Sequence, residues 1–307
     1  MKILIVGAGA IGGYFGGRLV EKGEDVTFLV RANKKEILEK TGLNIRSKNG
    51  DLQFSPKLIT KSDNSKPFDV VLISTKSYQL TTAIEDVQPF VGPETMILPL
   101  LNGIAHLQIL IRAFGEEKVL GGLCFVESTL SDDGTIVQTS PVHQLVYGER
   151  TGQQTERIGK LELAFKGTKA EFVKSDDINQ DMWHKYLFIT AMSGITSMME
   201  TSIGPIRDLE TGQHVIRVFL EELVAIMEKI GAPIAPAIAE TQFQRINDMS
   251  AEMKSSMQRD IEKMQPTEAE HLQGYLLGKA KEVQLSVPIL EIIFTKLMLY
   301  EQRQAVQ

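Results

Sequence analysis

The chain of 307 residues has a single cysteine, Cys124, and a single tryptophan, Trp183. A lone thiol excludes an internal disulfide, and one cysteine with five scattered histidines lacks the ligand spacing of a zinc or iron–sulfur site. No metal is therefore expected. No apolar stretch reaches the roughly 20 residues that a membrane span requires; the nearest, Val287 to Tyr300, is broken by Glu291 and Lys296. Neither sign of charge dominates, with 33 basic against 39 acidic side chains and a net charge of −6. Such a balance gives no sign of a surface for nucleic acid or for an acidic membrane. The N-terminus lacks a signal-peptide pattern, because its apolar run is short and passes straight into glycines. The expectation is a soluble, reduced, cytoplasmic protein, long enough for two domains with substantial cores.

What the chain does have is concentrated at its beginning. The apolar run Lys2-Ile3-Leu4-Ile5-Val6 leads into Gly7-Ala8-Gly9-Ala10-Ile11-Gly12, an amphipathic stretch to Glu21 stopped by Gly23, and a second apolar run from Asp25 to Val30. Strand, G-x-G-x-x-G, helix, strand is the layout of a nucleotide-binding βαβ unit. The first glycine permits a sharp turn, the second removes a Cβ that would block a pyrophosphate, and the third brings helix and strand close. The phosphates would then meet the N-terminus of the helix, with Gly7, Gly9, Ala10, Ile11 and Gly12 around them. At the end of the second strand an Asp or Glu would hold the ribose hydroxyls of NAD, but the chain has Val30-Arg31-Ala32-Asn33. A guanidinium matches a 2′-phosphate, so Arg31 points to NADP(H). The other reading is a surface arginine after a strand.

Strand and helix patterns continue to alternate through the first half. A helix is expected over Lys34–Lys40, a hairpin from Leu43–Ile45 and Leu52–Phe54 around Asn49-Gly50, and a buried parallel strand over Asp69–Ser74. Helix Tyr78–Val87, strand Thr95–Leu98, helix His106–Phe114 and a strand-rich region from Leu123 to Tyr147 follow. From about Asp177 only helical patterns remain, among them Arg207–Ile230 and Thr267–Val283 behind Pro266. The fold class expected is α/β: a Rossmann-type dinucleotide-binding domain over residues 1–175, then an all-α domain over 176–307. The apolar positions of Arg207–Ile230 suit either core burial or the partner face of a homodimer.

Open parallel sheets bind ligands beyond the C-terminal ends of their strands, which directs attention to Lys76 and Asn102. A lysine opening a helix opposes the helix dipole, which favours a functional role over a solvated loop lysine. Asn102-Gly103 reads either as a turn dipeptide or as an amide aimed at a ligand. In the second half, Lys185 lies in an otherwise apolar helical stretch and shares a face with Ile189 and Ser193. It could meet a substrate carbonyl or simply snorkel. Glu268 could serve a ligand or the first turn of a helix, where Thr267 and Glu270 have capping-box spacing.

Taken together, Gly7–Gly16, Arg31, Lys76 with Gln79, Asn102-Gly103, Trp183 with Lys185, Ser255-Ser256-Met257, and Thr267-Glu268 before Gly274-Tyr275-Leu276-Leu277 resemble the ketopantoate reductase family over nearly the full length. The resemblance implies NADPH-dependent reduction of the 2-oxo group of ketopantoate to pantoate, on the way to pantothenate and coenzyme A. It implies Lys185 as general acid and Glu268 as the acid beside substrate and cofactor. Ser256 and Asn102 would bind substrate, Asn102 would also touch the cofactor, and Lys76 would sit on the cofactor side. A proton donor of this kind contributes on the order of 10² to 10⁴ in rate.

The chain departs from the family pattern where asparagines would hold the substrate four and eight residues after the lysine and three before the serine. Ile189, Ser193 and Met253 occupy those positions. Of these, Ser193 keeps a hydroxyl and is retained as a substrate-binding candidate. Losing amides from a pocket built for them alters discrimination strongly, so a paralogue reducing a more apolar 2-oxo acid is the alternative. Another is an NADPH-binding sensor without turnover. Dehydrogenases of the 3-hydroxyacid or 6-phosphogluconate type fit the lysine and serine pattern less well.

Overall fold

The computed structural model describes residues 1–306. Contacts divide the chain into two compact units, residues 1–101 with 106–178 and residues 102–105 with 179–307. The first unit opens with β1 (Lys2–Val6), α1 (Ala10–Lys22), β2 (Asp25–Leu29) and α2 (Ala32–Thr41), followed by β3 (Leu43–Ser47), β4 (Leu52–Phe54) and β5 (Lys57–Ile59). It continues through β6 (Val70–Ile73), α3 (Leu80–Val87), β7 (Met96–Pro99) and α4 (Ala105–Phe114), then β8 (Gly121–Leu130), β9 (Ile136–Gly148), α5 (Glu156–Phe165) and β10 (Glu171–Lys174).

Five of these strands form an all-parallel sheet in the order β5-β2-β1-β6-β7. Its strands are mainly apolar because both faces are covered, with Lys2, Asp25 and Lys57 at strand ends. Ile3, Ile5, Val26, Phe28, Val70 and Leu72 join one buried cluster, while Leu4, Val6, Leu29, Val71 and Ile73 join the other. The alternation is the two-residue period of a strand divided between two cores. The second cluster includes Leu80, Ala83 and Val87 of α3 and Leu110 and Phe114 of α4.

The first cluster is closed by a second sheet, β10-β9-β3-β4 with β8 paired to β9. Helix α1 lies between the two sheets, which explains its run of glycines. A Cβ on Gly16 would stand 2.7 Å from the Phe28 ring, and one on Gly17 would collide with Ile45 Cδ1. The sequence pattern predicts the β3–β4 hairpin, seen here with Leu43 opposite Phe54, but not this second sheet. It also misses β5, a three-residue edge strand behind Pro56, and α5 with β10. Helix α5 does carry a local signal, since Thr155 caps it by accepting the Ile158 N–H at 3.3 Å.

The second unit is helical: α6 (Ile178–Met199), which begins at the boundary, α7 (Ile203–Arg207), α8 (Glu210–Lys229), α9 (Ile238–Asn247), α10 (Ser256–Glu262), α11 (Tyr275–Glu282) and α12 (Pro288–Val306). The helix expected over Arg207–Ile230 is α8, which starts at Glu210 after a break at Asp208-Leu209 that separates it from α7. Gly212 makes the break possible, because any Cβ there would strike the Ile206 carbonyl. Seven residues of α8, from Gly212 to Met227, are buried in this unit, accounting for much of its apolar face. The helix expected from Thr267 begins instead with a wide π turn over Glu270–Gly274 before α11. Among the described residues no helix is long and apolar enough to cross a membrane.

Candidate active site

Beyond the C-terminal ends of β1 and β2 lies a cleft of about 410 Å³, lined by Gly7, Ala8, Gly9, Val30, Arg31, Asn33, Lys34, Thr75 and Gln79, among others. Gly7 turns there with φ +97°. A Cβ on Gly9 would have nothing within 4 Å, so that glycine leaves the space before helix α1 open. Gly12 does the reverse: a Cβ would overlap the Gly7 carbonyl and Ser74 Oγ and stand 2.9 Å from Ile5 Cγ2. Ser74 Oγ completes the seam by donating to the carbonyls of Val6 and Gly7 at 3.0 and 3.2 Å. Helix α1 carries no acid in its first turn and no side-chain cap on Gly9, so its N-terminal N–H groups suit an anion.

These residues fit a dinucleotide. The cavity volume is in the range of small-molecule sites, the glycine turn and helix end suit a pyrophosphate, and Arg31, Asn33 and Lys34 line the part of the cleft that follows β2. Thr75 Oγ1, buried and without a hydrogen-bond partner, faces the same space. Ala10, Ile11 and Lys76 are not among the lining residues: Ala10 uses its carbonyl to accept from Ser128 Oγ at 2.9 Å, and Lys76 precedes the short 3₁₀ turn Ser77–Gln79. Asn33, Lys34, Thr75 and Leu130 are cleft residues that motif reading did not single out. The first two sit two and three residues past Arg31 and were within its reach.

The second unit contains a buried polar cluster. Lys185, on the second turn of α6, is 7% exposed, and its ammonium donates to Asn102 Oδ1 at 3.0 Å. Asn102-Gly103 bends the chain, with Gly103 at φ +80°. Glu268 is buried just ahead of the π turn. Thr267 accepts the Ala269 N–H at 3.3 Å and donates to Glu301 Oε1 at 2.6 Å, a cap on a different N–H from that of a capping box. The π turn itself is anchored by the Tyr186 hydroxyl, which donates to the Leu272 carbonyl at 2.5 Å. Complete burial pushes that phenol well above its ordinary value, so it stays a donor.

Ser193 and Ser256 have different surroundings from Lys185. Ser193 is buried and accepts from Gln273 Nε2 at 2.8 Å, the same nitrogen donating to the Thr190 carbonyl at 3.2 Å. Ser256 is exposed at the first position of α10, while its neighbour Ser255 caps that helix by accepting the Gln258 N–H at 3.0 Å. Ser255 is also tied to α6 through Thr196 Oγ1 at 2.9 Å. Ile189 and Met253 are half-buried. His271, which sequence reasoning missed, donates to the Asn102 backbone carbonyl. Its only sequence signal is its place three residues after Glu268.

A glycine-turn cleft on a parallel sheet and a helical unit with a buried lysine are those of a protein built from a Rossmann-type domain and a helical domain. Residues 3–152 match the family described as ketopantoate reductase PanE/ApbA, and residues 177–301 match its C-terminal part. The chain belongs to the ketopantoate reductase family. It is 49% identical over 301 residues to an uncharacterized oxidoreductase, YkpB, of Bacillus subtilis, covering 98% of this chain and 99% of that one. It is 28% identical to the 2-dehydropantoate 2-reductase of Aquifex aeolicus, with 95% and 94% of the two chains covered. Among solved structures, the 2-dehydropantoate 2-reductase of Geobacter metallireducens superimposes with a TM-score of 0.88 at 27% identity, over 97% of this chain and 99% of that one.

Proposed function

We propose that the protein reduces a 2-oxo acid to the 2-hydroxy acid with NADPH, ketopantoate being the first substrate to test. The observation that carries this reading is the buried Lys185 ammonium held by Asn102 Oδ1 at 3.0 Å. A buried cation is costly unless it is paired or hydrogen-bonded, and such groups cluster at functional sites. When bound, the reduced cofactor supplies a hydride to the carbonyl carbon. The carbonyl oxygen, gaining the electron pair of the broken π bond, takes a proton from Lys185 Nζ, which is left as a neutral amine. An ammonium has three N–H donors, so the bond to Asn102 orients the group without consuming it. Glu268, buried at the edge of the same unit, is assigned to the substrate's polar groups. On the cofactor side, Gly7, Gly9 and the first turn of α1 would hold the pyrophosphate, and Arg31 with Asn33 and Lys34 the 2′-phosphate.

Ile189 and Met253 support a second reading within the same chemistry, in which the acid is less polar than ketopantoate. Steady-state NADPH oxidation with ketopantoate and with branched, unhydroxylated 2-oxo acids separates the two. The higher kcat/KM identifies the substrate class. Tight NADPH binding with no oxidation across the panel would overturn the reductase and leave a nucleotide sensor.

A further inference from the structure

The geometry points to His271 as the positioning residue that sets the Lys185 ammonium, acting through Asn102. The inference deepens the reductase reading and rests on it for its kinetic arm alone.

Asn102 is gripped at two atoms. Its side-chain Oδ1 accepts from Lys185 at 3.0 Å, and its backbone carbonyl accepts an N–H from the His271 ring. The following residue, Gly103, turns with φ +80°, and a Cβ there would stand 3.2 Å from His271 Cδ2 and 3.1 Å from Leu272 Cδ2. The turn therefore rests on the His271-Leu272 pair and has no room to shift toward it. Leu272 is itself fixed by the Tyr186 hydroxyl, which belongs to the residue after Lys185. The result is a closed circuit: Lys185 to Asn102, Asn102 to His271, His271 along the π turn to Leu272, and Leu272 to Tyr186, beside Lys185. π turns inside helices are frequent at functional sites, and this one brings a ring N–H to a backbone carbonyl.

Burial lowers the His271 pKa, against the pull of the Glu268 carboxylate and the bond to Asn102, so the ring is neutral near pH 7. A neutral imidazole has one N–H, and the bond to the Asn102 carbonyl selects which nitrogen carries it. Removing that donor releases the Asn102 turn, and with it the acceptor that holds the ammonium. A side chain that keeps an N–H, as in His271→Gln, can restore it.

The test compares the wild type, His271→Ala and His271→Gln. The first measurement needs no substrate: the rate of Lys185 acetylation by dilute acetic anhydride, read by mass spectrometry relative to the other lysines of the same sample. Loss of one hydrogen bond to the amine should raise that rate roughly 3- to 10-fold in His271→Ala, with His271→Gln near the wild type. The second is kinetic: kcat should fall about 10- to 100-fold in His271→Ala, as for a small misplacement of a reacting group. KM for the oxo acid and the NADPH dissociation constant should hold within about 2-fold of the wild type, far less than that loss. A Lys185 acetylation rate unchanged in His271→Ala overturns the inference. So does equal loss in both variants, which would make the ring a packing element. If no oxo acid is turned over by the wild type, the acetylation arm still decides the role of His271, and only the reductase reading fails.

Discussion

The glycine-loop cleft and the Lys185 cluster are built in opposite ways. The cleft is made of backbone: a turn at Gly7, an open space at Gly9, a seam closed at Gly12 and the bare N-terminus of α1, all within the first turns of one βαβ unit. The Lys185 cluster is made of side chains drawn from three stretches separated by more than eighty residues each, and it depends on hydrogen bonds rather than on the absence of atoms. A site made by leaving atoms out tolerates almost no added atom. A site made by side chains tolerates repacking but loses its chemistry when one donor goes. Mutations in the two regions should therefore fail differently, one set in cofactor affinity and the other in turnover.

The sharpest way to test that contrast is Lys185→Ala. Turnover should fall on the order of 10² to 10⁴, while the NADPH dissociation constant, measured by quenching of protein or cofactor fluorescence, stays at its wild-type value. Near wild-type turnover would remove Lys185 from the chemistry, and a matching loss of NADPH affinity would erase the distinction between the regions.

The same contrast decides how much could be read from sequence. The G-x-G-x-x-G turn and Arg31 are local, so spacing alone pointed to Gly7, Gly9 and Arg31, which line the cleft, but not to Asn33, Lys34, Thr75 or Leu130 beside them. Four of the five parallel strands were legible because burial on both faces makes them largely apolar runs, whereas the three-residue edge strand β5 was not. The second sheet was not, because β8 and β9 pair over a long hairpin and β3 joins β9 across ninety residues of sequence. Asn102, Lys185 and Glu268 stood out by position, after a strand, within an apolar helical stretch and at a helix start, but the roles given to them came from family resemblance. His271 and Gln273 escaped because their partners, the Asn102 carbonyl and Ser193 Oγ, are neighbours only in space. The π turn that places them has no sequence period of its own.

Within the cleft, Gly12→Ala and Gly9→Ala separate the two jobs of glycine. At Gly12 the new Cβ meets backbone, which cannot move aside, and overpacking of this kind costs about 1 to 3 kcal/mol. Both Tm and NADPH affinity should fall, the latter up to about 100-fold as the seam opens. At Gly9 a Cβ meets nothing within 4 Å, so Tm should hold while NADPH affinity falls. Equal loss of Tm in the two variants would mean that Gly9 is structural too.

Arg31→Ala is a smaller perturbation, because the side chain is exposed and water screens its charge. NADPH affinity should weaken roughly 10-fold, the low end for a charge-assisted hydrogen bond, with NADH affinity unchanged. Parallel titrations with the two cofactors read the difference. Equal weakening would show that Arg31 does not distinguish the 2′-phosphate.

The smallest effect compares one histidine in each unit. His143 Nδ1 shares a hydrogen bond with the Tyr14 hydroxyl at 2.7 Å, and burial together with Arg18 lowers its pKa against the opposing pull of Glu171. His271 is lowered by burial as well. For a histidine depressed in the folded state, the unfolded chain binds the extra proton first, so stability rises with pH. The contribution is complete above the ordinary value of 6.5 and is lost as pH falls from there through the folded pKa. Tm should therefore decline between pH 7.5 and 5.5, by a few degrees at most for a domain of this size. The lowered carboxylates, such as Glu149 beside Arg157, contribute nothing in that window because they titrate below 4.5. His143→Gln keeps a hydrogen-bonding group for Tyr14 and should flatten part of the decline without changing turnover, whereas His271→Gln should flatten another part. Scanning calorimetry of the three proteins at several pH values measures both slopes. A His143→Gln slope identical to the wild type would show that His143 contributes nothing to the acid sensitivity.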